Sequence, residues 1–265
     1  MQRRQFLASS LASAAVVATP RNSEAQSTAG GSREFYQIRK YHLQSGPQTK
    51  LTEGYFSEAL IPALTRMGMG PIGAFRLDYG PETPTFYLLI PGSSVEALVM
   101  AELNLPQDTA FLKAAEPFWN APAIAPPFQR METSLLSAFT GWPKLTLPPA
   151  TATKAKRIFQ LRTYESATNQ DHVRKVEMFN SGEFEIFKTS GFSPVFFSDT
   201  LIGPRMPCLT YMVSLPSVGD LDPYWKAFGG DPAWKKLTAM PRFNFEEIVS
   251  NITNLILSPL SCSQI

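Results

Sequence analysis

The sequence has 265 residues, 44% of them hydrophobic and 12% aromatic, enough to bury sizeable cores in two units of ordinary size. Its formal net charge at pH 7 is +2, and Arg3, Arg4 and Arg21 against Glu24 account for all of it. The rest is balanced and has no Lys/Arg block, which excludes nucleic acid and anionic membranes as partners, since both are bound by neutralising phosphates.

Arg3 and Arg4 precede a short Ala-rich apolar run from Leu7 to Ala18, and Ser23 and Ala25 fit a small-residue cleavage pattern. Residues 1–25 are therefore expected to be a bacterial twin-arginine signal peptide, which makes the protein exported, periplasmic or extracellular. The run is shorter than the roughly 20 apolar residues that span a bilayer, and no later segment qualifies. The only cysteines, Cys208 and Cys262, lie far from the leader, so no lipid anchor is expected on the mature form.

A first unit is expected over 33–140. Phe35 to Tyr41 reads as a strand, with Tyr36 and Ile38 on one face and Gln37, Arg39 and Tyr41 on the other. A helix over 49–67 follows, which Pro62 should kink and Gly68 should end. Ile72 to Asp78 and Thr85 to Ile90 predict a hairpin, and Ser94 to Leu103 a second helix, with a further piece capped by Asp108. A Pro-rich loop leads to a last strand over 128–136. The order βαββαβ is the ferredoxin-like arrangement.

Residues 141–157 are rich in Pro, Thr, Ala and Lys and read as a linker. The chain then repeats itself over 158–262. Gln37-Ile38-Arg39-Lys40-Tyr41 returns as Gln160-Leu161-Arg162-Thr163-Tyr164, a step of 123 residues between Arg39 and Arg162. Gly68 and Pro71 recur at the same step as Gly191 and Pro194, and Asp108 and Phe111 as Asp231 and Trp234. Helix is expected from Asp171 to Thr189, a hairpin over 195–199 and 209–215, and a final strand over 248–257. Pro91 and Pro216 predict a hairpin loop two residues longer than in the first unit. Asp231-Pro232 is a helix start.

The paired Q-[IL]-R-x-Y strands, the G-x-x-P step and the run Asp231-Pro232-Ala233-Trp234-Lys235 resemble the NIPSNAP family in a bacterial tandem form. The first unit departs from the pattern, with Asp108-Thr109-Ala110-Phe111 in the place of that run. The resemblance implies an α+β protein in which two ferredoxin-like units form an intramolecular pseudo-dimeric α/β-barrel. It implies little about chemistry.

An apolar strand face should meet the helices, so Gln37, Arg39, Tyr41, Gln160, Arg162 and Tyr164 are expected to line the space between the two sheets. Two symmetry-related arginines there would bind a carboxylate or phosphate, and the tyrosines an aromatic group. The competing reading pairs each arginine with a carboxylate of its own unit, such as Asp78 or Glu132 in the first and Asp199 or Glu247 in the second. His42 and His172 have no metal-ligand spacing, so no metal and no cofactor is expected. His172 is the one helical candidate for a haem axial ligand. A Cys208–Cys262 disulfide stays open: the strand ends are placed on one side, two strands apart, roughly 10 Å by sheet spacing.

The sequence thus points to a small-molecule binding or accessory protein. Two rivals stand beside it: a cofactor-independent monooxygenase-like enzyme acting on an aromatic substrate in the barrel, and a structural interaction module. Whether the protein forms a homo-oligomer is open.

Overall fold

The computed structural model describes residues 32–265 apart from Pro81. The expected signal peptide and its cleavage site lie outside the described residues. The two repeats each form a four-stranded antiparallel sheet, and the sheets close on one another. Strands β1 (Phe35–His42), β2 (Gly73–Leu77), β3 (Thr85–Gly92) and β4 (Arg130–Ala138) come from the first half. Strands β5 (Ile158–Glu165), β6 (Ser193–Ile202), β7 (Cys208–Leu215) and β8 (Asn251–Pro259) come from the second. The order around the closed barrel is β1-β3-β2-β8-β5-β7-β6-β4. The halves are stitched by β2 to β8 and by β4 to β6, so neither sheet keeps an open edge.

Registers show how faithful the repeat is. Tyr41 faces Phe86 on β3, and Tyr164 faces Leu209 on β7, the same 123-residue step on both strands. The second hairpin is therefore not offset, and Pro216 has no structural counterpart in Pro91. The final strand starts later than the apolar pattern suggests, because Ile248 belongs to a short helix, Phe245–Ile248.

Helices cover the outside. In chain order they are α1 (Pro47–Tyr55), α2 (Ile61–Arg66), α3 (Val95–Asn104), α4 (Thr109–Trp119), α5 (Pro149–Ala152), α6 (Asn169–Met178), α7 (Phe184–Thr189), α8 (Leu221–Gly230), α9 (Pro232–Thr238) and α10 (Phe245–Ile248). A π-helical turn joins α1 to α2 over Phe56–Leu60, and another joins α6 to α7 over Phe179–Glu183, at equivalent places. The first precedes Pro62, which has no N–H to continue the ladder; the second contains Gly182 at φ 134°. The Asp108 carboxylate accepts from Phe111 N at 3.0 Å and caps α4, and that of Asp231 accepts from Ala233 N at 2.7 Å and caps α9. Among the described residues no helix is long and apolar enough to cross a membrane.

The faces of β1 and β5 are opposite to the expectation. Tyr36, Phe159 and Leu161 are buried inside the barrel with Phe75, Leu89, Phe196 and Leu257, and Ile38 packs against them. Tyr41 packs instead with Phe56, Leu60 and Phe111 under the helices of the first half, and Tyr164 with Phe179 and Phe187 under those of the second. In a closed barrel both strand faces are buried, so apolarity alone cannot tell inside from outside. The helices supply polar partners and the barrel floor does not, which puts Arg39 and Arg162 on the helix side.

One end of the barrel is sealed. Tyr36 and Phe196 lie 5.1 Å apart between ring centroids, Phe75 and Phe159 4.8 Å. Gly73 leaves room for this: a Cβ there would fall 2.5 Å from the Phe75 ring. The segment after β4 crosses the same end, where Leu145 N donates to Glu34 Oε2 at 2.7 Å and Thr146 N to Val195 O at 2.8 Å. Ile265 is fully buried against this floor, and Arg157 Nη2 donates to its carbonyl oxygen at 2.7 Å.

Candidate functional site

The other end is open. A cavity of about 740 Å³ descends between the sheets and takes lining residues from all eight strands. Its inner walls are Ile38, Leu77, Leu136, Leu161 and Leu255, side chains pointing inward at alternate strand positions. Above them stand the hydroxyls of Ser134, Thr163, Thr200, Thr210 and Thr253, with Tyr87 and Cys208. Thr163 Oγ1 and Thr210 Oγ1 are 3.0 Å apart, and Thr200 Oγ1 is buried. Burial pushes the Tyr87 phenol above its ordinary range, and the Cys208 thiol likewise. Both are neutral at physiological pH.

Charged groups ring the mouth. Lys40 is ion-paired with Glu82, Arg130 Nε donates to Glu132 Oε1 at 3.1 Å, and Asn251 Nδ2 donates to Glu165 Oε1 at 2.9 Å. Arg205 reaches Thr253 Oγ1 across the opening and has no ion-pair partner among the described residues. The Lys40 hydrogen bond holds the Glu82 carboxyl below the usual carboxylate range. Burial works to raise Glu132, but bonds from Arg130 and His42 outweigh it and hold this carboxyl low as well. The cavity thus offers an apolar floor, a band of hydroxyls and an ionic lip, and fits a molecule with one apolar and one polar end.

The six residues expected at the site lie on the strand face behind this cavity, one position away along each strand, and the structure divides them between two separate places. In the first half Arg39, 1% exposed, is ion-paired with Glu102 on α3 and donates from Nε to Gln37 Oε1 at 2.6 Å. In the second half the Arg162 guanidinium lies 4.1 Å from the centre of the Trp225 ring and 5.2 Å from that of Tyr164. Gln160 accepts from Trp225 Nε1 at 2.9 Å and donates to Asn254 Oδ1 at 2.8 Å, while the Tyr164 and Tyr211 hydroxyls are 2.8 Å apart. The expected pseudo-symmetric arginine pair at the barrel axis is therefore corrected. The competing reading holds in kind for Arg39, which takes a carboxylate of its own unit, though it is Glu102 and none of those nominated, while Arg162 has no ion-pair partner among the described residues. Ser258 Oγ donates to Asp78, Glu132 serves the rim, and Asp199 Oδ1 lies 2.7 Å from His172 Nε2.

Beneath α6 the second half also buries an ion pair that sequence reasoning missed. Lys175 Nζ donates to Glu183 Oε2 at 2.7 Å, both side chains shielded from water. The ammonium lies 4.5 Å from the Phe179 ring centre and 5.5 Å from that of Tyr164. Burial pushes Glu183 up and Lys175 down, and their mutual attraction opposes both shifts. The equivalents of these two residues in the repeat are Thr52 and Leu60, which is the signal that could have marked them.

Cys208 and Cys262 are free thiols. Both β7 and β8 pair antiparallel to β5, so the two run parallel. The start of β7 and the end of β8 therefore lie at opposite ends of the barrel, not on one side. Among the described residues no cluster of His, Cys, Asp or Glu is arranged to hold a metal.

Residues 159–264 match the NIPSNAP family model, the half in which the sequence resemblance is clearest. No curated protein matches the chain. Among solved structures, a candidate monooxygenase from Lactobacillus acidophilus NCFM superposes with a TM-score of 0.55 at 9% identity, over 86% of this chain and 94% of that one. An anthrone oxidase-like protein gives 0.51 at 11% identity, over 87% and 93%. An uncharacterized NIPSNAP-like domain protein from Burkholderia xenovorans is 18% identical over 40% of this chain and 86% of that one, with a TM-score of 0.35. At such identities the first two likenesses show the dimeric α/β-barrel fold and no chemistry.

Proposed function

We propose, from the premise that residues 159–264 form a NIPSNAP domain within a single-chain α/β-barrel, that the protein binds a small amphipathic molecule in the open end of the barrel. The observation that carries this reading is the 740 Å³ cavity with its apolar floor and hydroxyl band. A cavity of that size falls in the range of small-molecule sites, and apolar walls with a few placed polar groups are their usual lining. The apolar end of the ligand rests on Leu136, Leu161 and Leu255. Its polar end meets Thr163 and Thr210 and, at the lip, Arg205.

Native mass spectrometry of the protein purified under non-denaturing conditions tests the reading. A discrete adduct is expected on the unaltered chain and its loss on Thr210→Trp, which places an indole across the cavity. A bare mass for the unaltered chain, or an adduct that survives in a folded Thr210→Trp variant, overturns it.

A further inference from the structure

The two halves also differ in what lies against the arginine of the first strand. In the second, Trp225 fills the space over Arg162 with its indole and anchors it by the bond to Gln160. The same position in the first half, on α3, is Glu102, whose carboxylate engages Arg39. A carboxylate is smaller than an indole, and a cleft of about 350 Å³ lies beside it, lined by Tyr41, Tyr55, Glu102, Phe118, Trp119 and Phe128. Its rings are already ordered by one another. Tyr55 and Phe118 are stacked with centroids 3.9 Å apart, and Tyr41 meets Phe128 edge-on at 5.7 Å. Trp119 Nε1 donates to the Tyr55 hydroxyl at 3.2 Å, which holds the lip in place. The Glu102 side chain is 43% exposed, so the carboxylate that Arg39 holds from below is reachable from the cleft.

We propose that this cleft is a second binding site, separate from the barrel cavity, for a planar aromatic ring that carries a protonated amine. The ring lies among Tyr41, Phe118, Trp119 and Phe128. The ammonium meets the Glu102 carboxylate and the faces of the surrounding rings, which attract cations and repel anions. The pairing of Arg39 with Glu102 fixes the carboxylate in advance, so little side-chain ordering accompanies binding. The inference does not rest on the barrel reading.

Isothermal titration with tryptamine and with indole-3-propionate, which share a ring and differ in charge, tests it. Tryptamine is expected to bind at least about tenfold more tightly. Binding should be lost in Glu102→Trp, which removes the carboxylate and sets a bulky indole at the edge of the cleft, and be kept in Thr210→Trp, which blocks only the barrel. If Glu102→Trp fails to fold, Trp119→Ala and Glu102→Gln serve in its place, each expected to weaken tryptamine at least about fivefold. Equal or inverted affinity for the two probes, no binding of tryptamine, unchanged binding in the cleft variants, or loss in Thr210→Trp would each overturn the proposal.

Discussion

Glu102 and Trp225 occupy the same position of the repeat, and each is laid against the arginine of its own half, one by ion pairing and the other by stacking. Because the two contacts differ in kind, their loss should differ in size. Trp225→Ala removes packing against Arg162 and leaves Gln160 without its donor, and is expected to cost about 2–3 kcal/mol, below the range for fully buried tryptophans. Glu102→Gln keeps an acceptor for Arg39, and water reaches this half-exposed position, so losing the counter-charge of the buried guanidinium should cost less, about 1–2 kcal/mol. Urea unfolding of the two variants checks the order.

The Lys175–Glu183 pair gives a sharper test, since both groups are shielded from water. Lys175→Met alone leaves a buried carboxyl and is expected to destabilise by about 3–5 kcal/mol, most of it recovered in Lys175→Met/Glu183→Leu. The pH dependence has a definite sign. Burial already raises Glu183, and without Lys175 it rises further. A group raised on folding contributes its full stability below its unfolded value and loses it as pH climbs through the folded one. The single variant should therefore lose stability from about pH 5 to about pH 8, and the double variant should not. Denaturant titrations at the two pH values distinguish them.

At the mouth the sign is reversed. The hydrogen bond from Lys40 depresses Glu82, so its contribution is present above the ordinary carboxylate value and is lost as pH falls through the depressed one. Lys40→Met should lower Tm slightly at neutrality, converge with the unaltered protein as pH falls, and so flatten the acid limb of a plot of Tm against pH below about pH 5. An acid limb of unaltered slope would contradict the assignment.

Thiol chemistry follows from burial. Burial pushes Cys262 up to about 11, so at pH 8 about one thiol in a thousand is ionised. Alkylation by iodoacetamide in the native state is expected to be about a hundredfold slower than in urea. Cys208 lies on the barrel cavity and should be slower still when that cavity is occupied. Peptide mass mapping over a time course reads both sites.

Much of this architecture was legible in the sequence because it rests on local pattern. Asp108 and Asp231 cap helices as their positions before helical runs suggest, and the doubled Q-x-R-x-Y motif marks two first strands. The alternation along those strands is correct to the residue. Its orientation is not: Arg39 and Tyr41 look polar enough to face a cavity, yet the polar partners that settle the matter are Glu102 and Trp225, more than 60 residues away in sequence. The barrel cavity is less legible still, since no single strand shows it. Thr163, Thr210 and Thr253 become a band only once β5, β7 and β8 are side by side. Ile248 fell to helix because an apolar pair such as Ile248 and Val249 satisfies either period.

Joining the two halves in one chain has a consequence for the mouth. Two identical subunits would present every inward side chain twice, across a two-fold axis. Here Lys40 stands opposite Thr163, Leu77 opposite Thr200, and Tyr87 opposite Thr210, each pair at equivalent places of the repeat. One wall carries the ammonium and the phenol, and the other carries hydroxyls. A guest turned by half a revolution would therefore meet a different surface, and the vestibule can hold a molecule one way round, which no symmetric barrel of this kind can do.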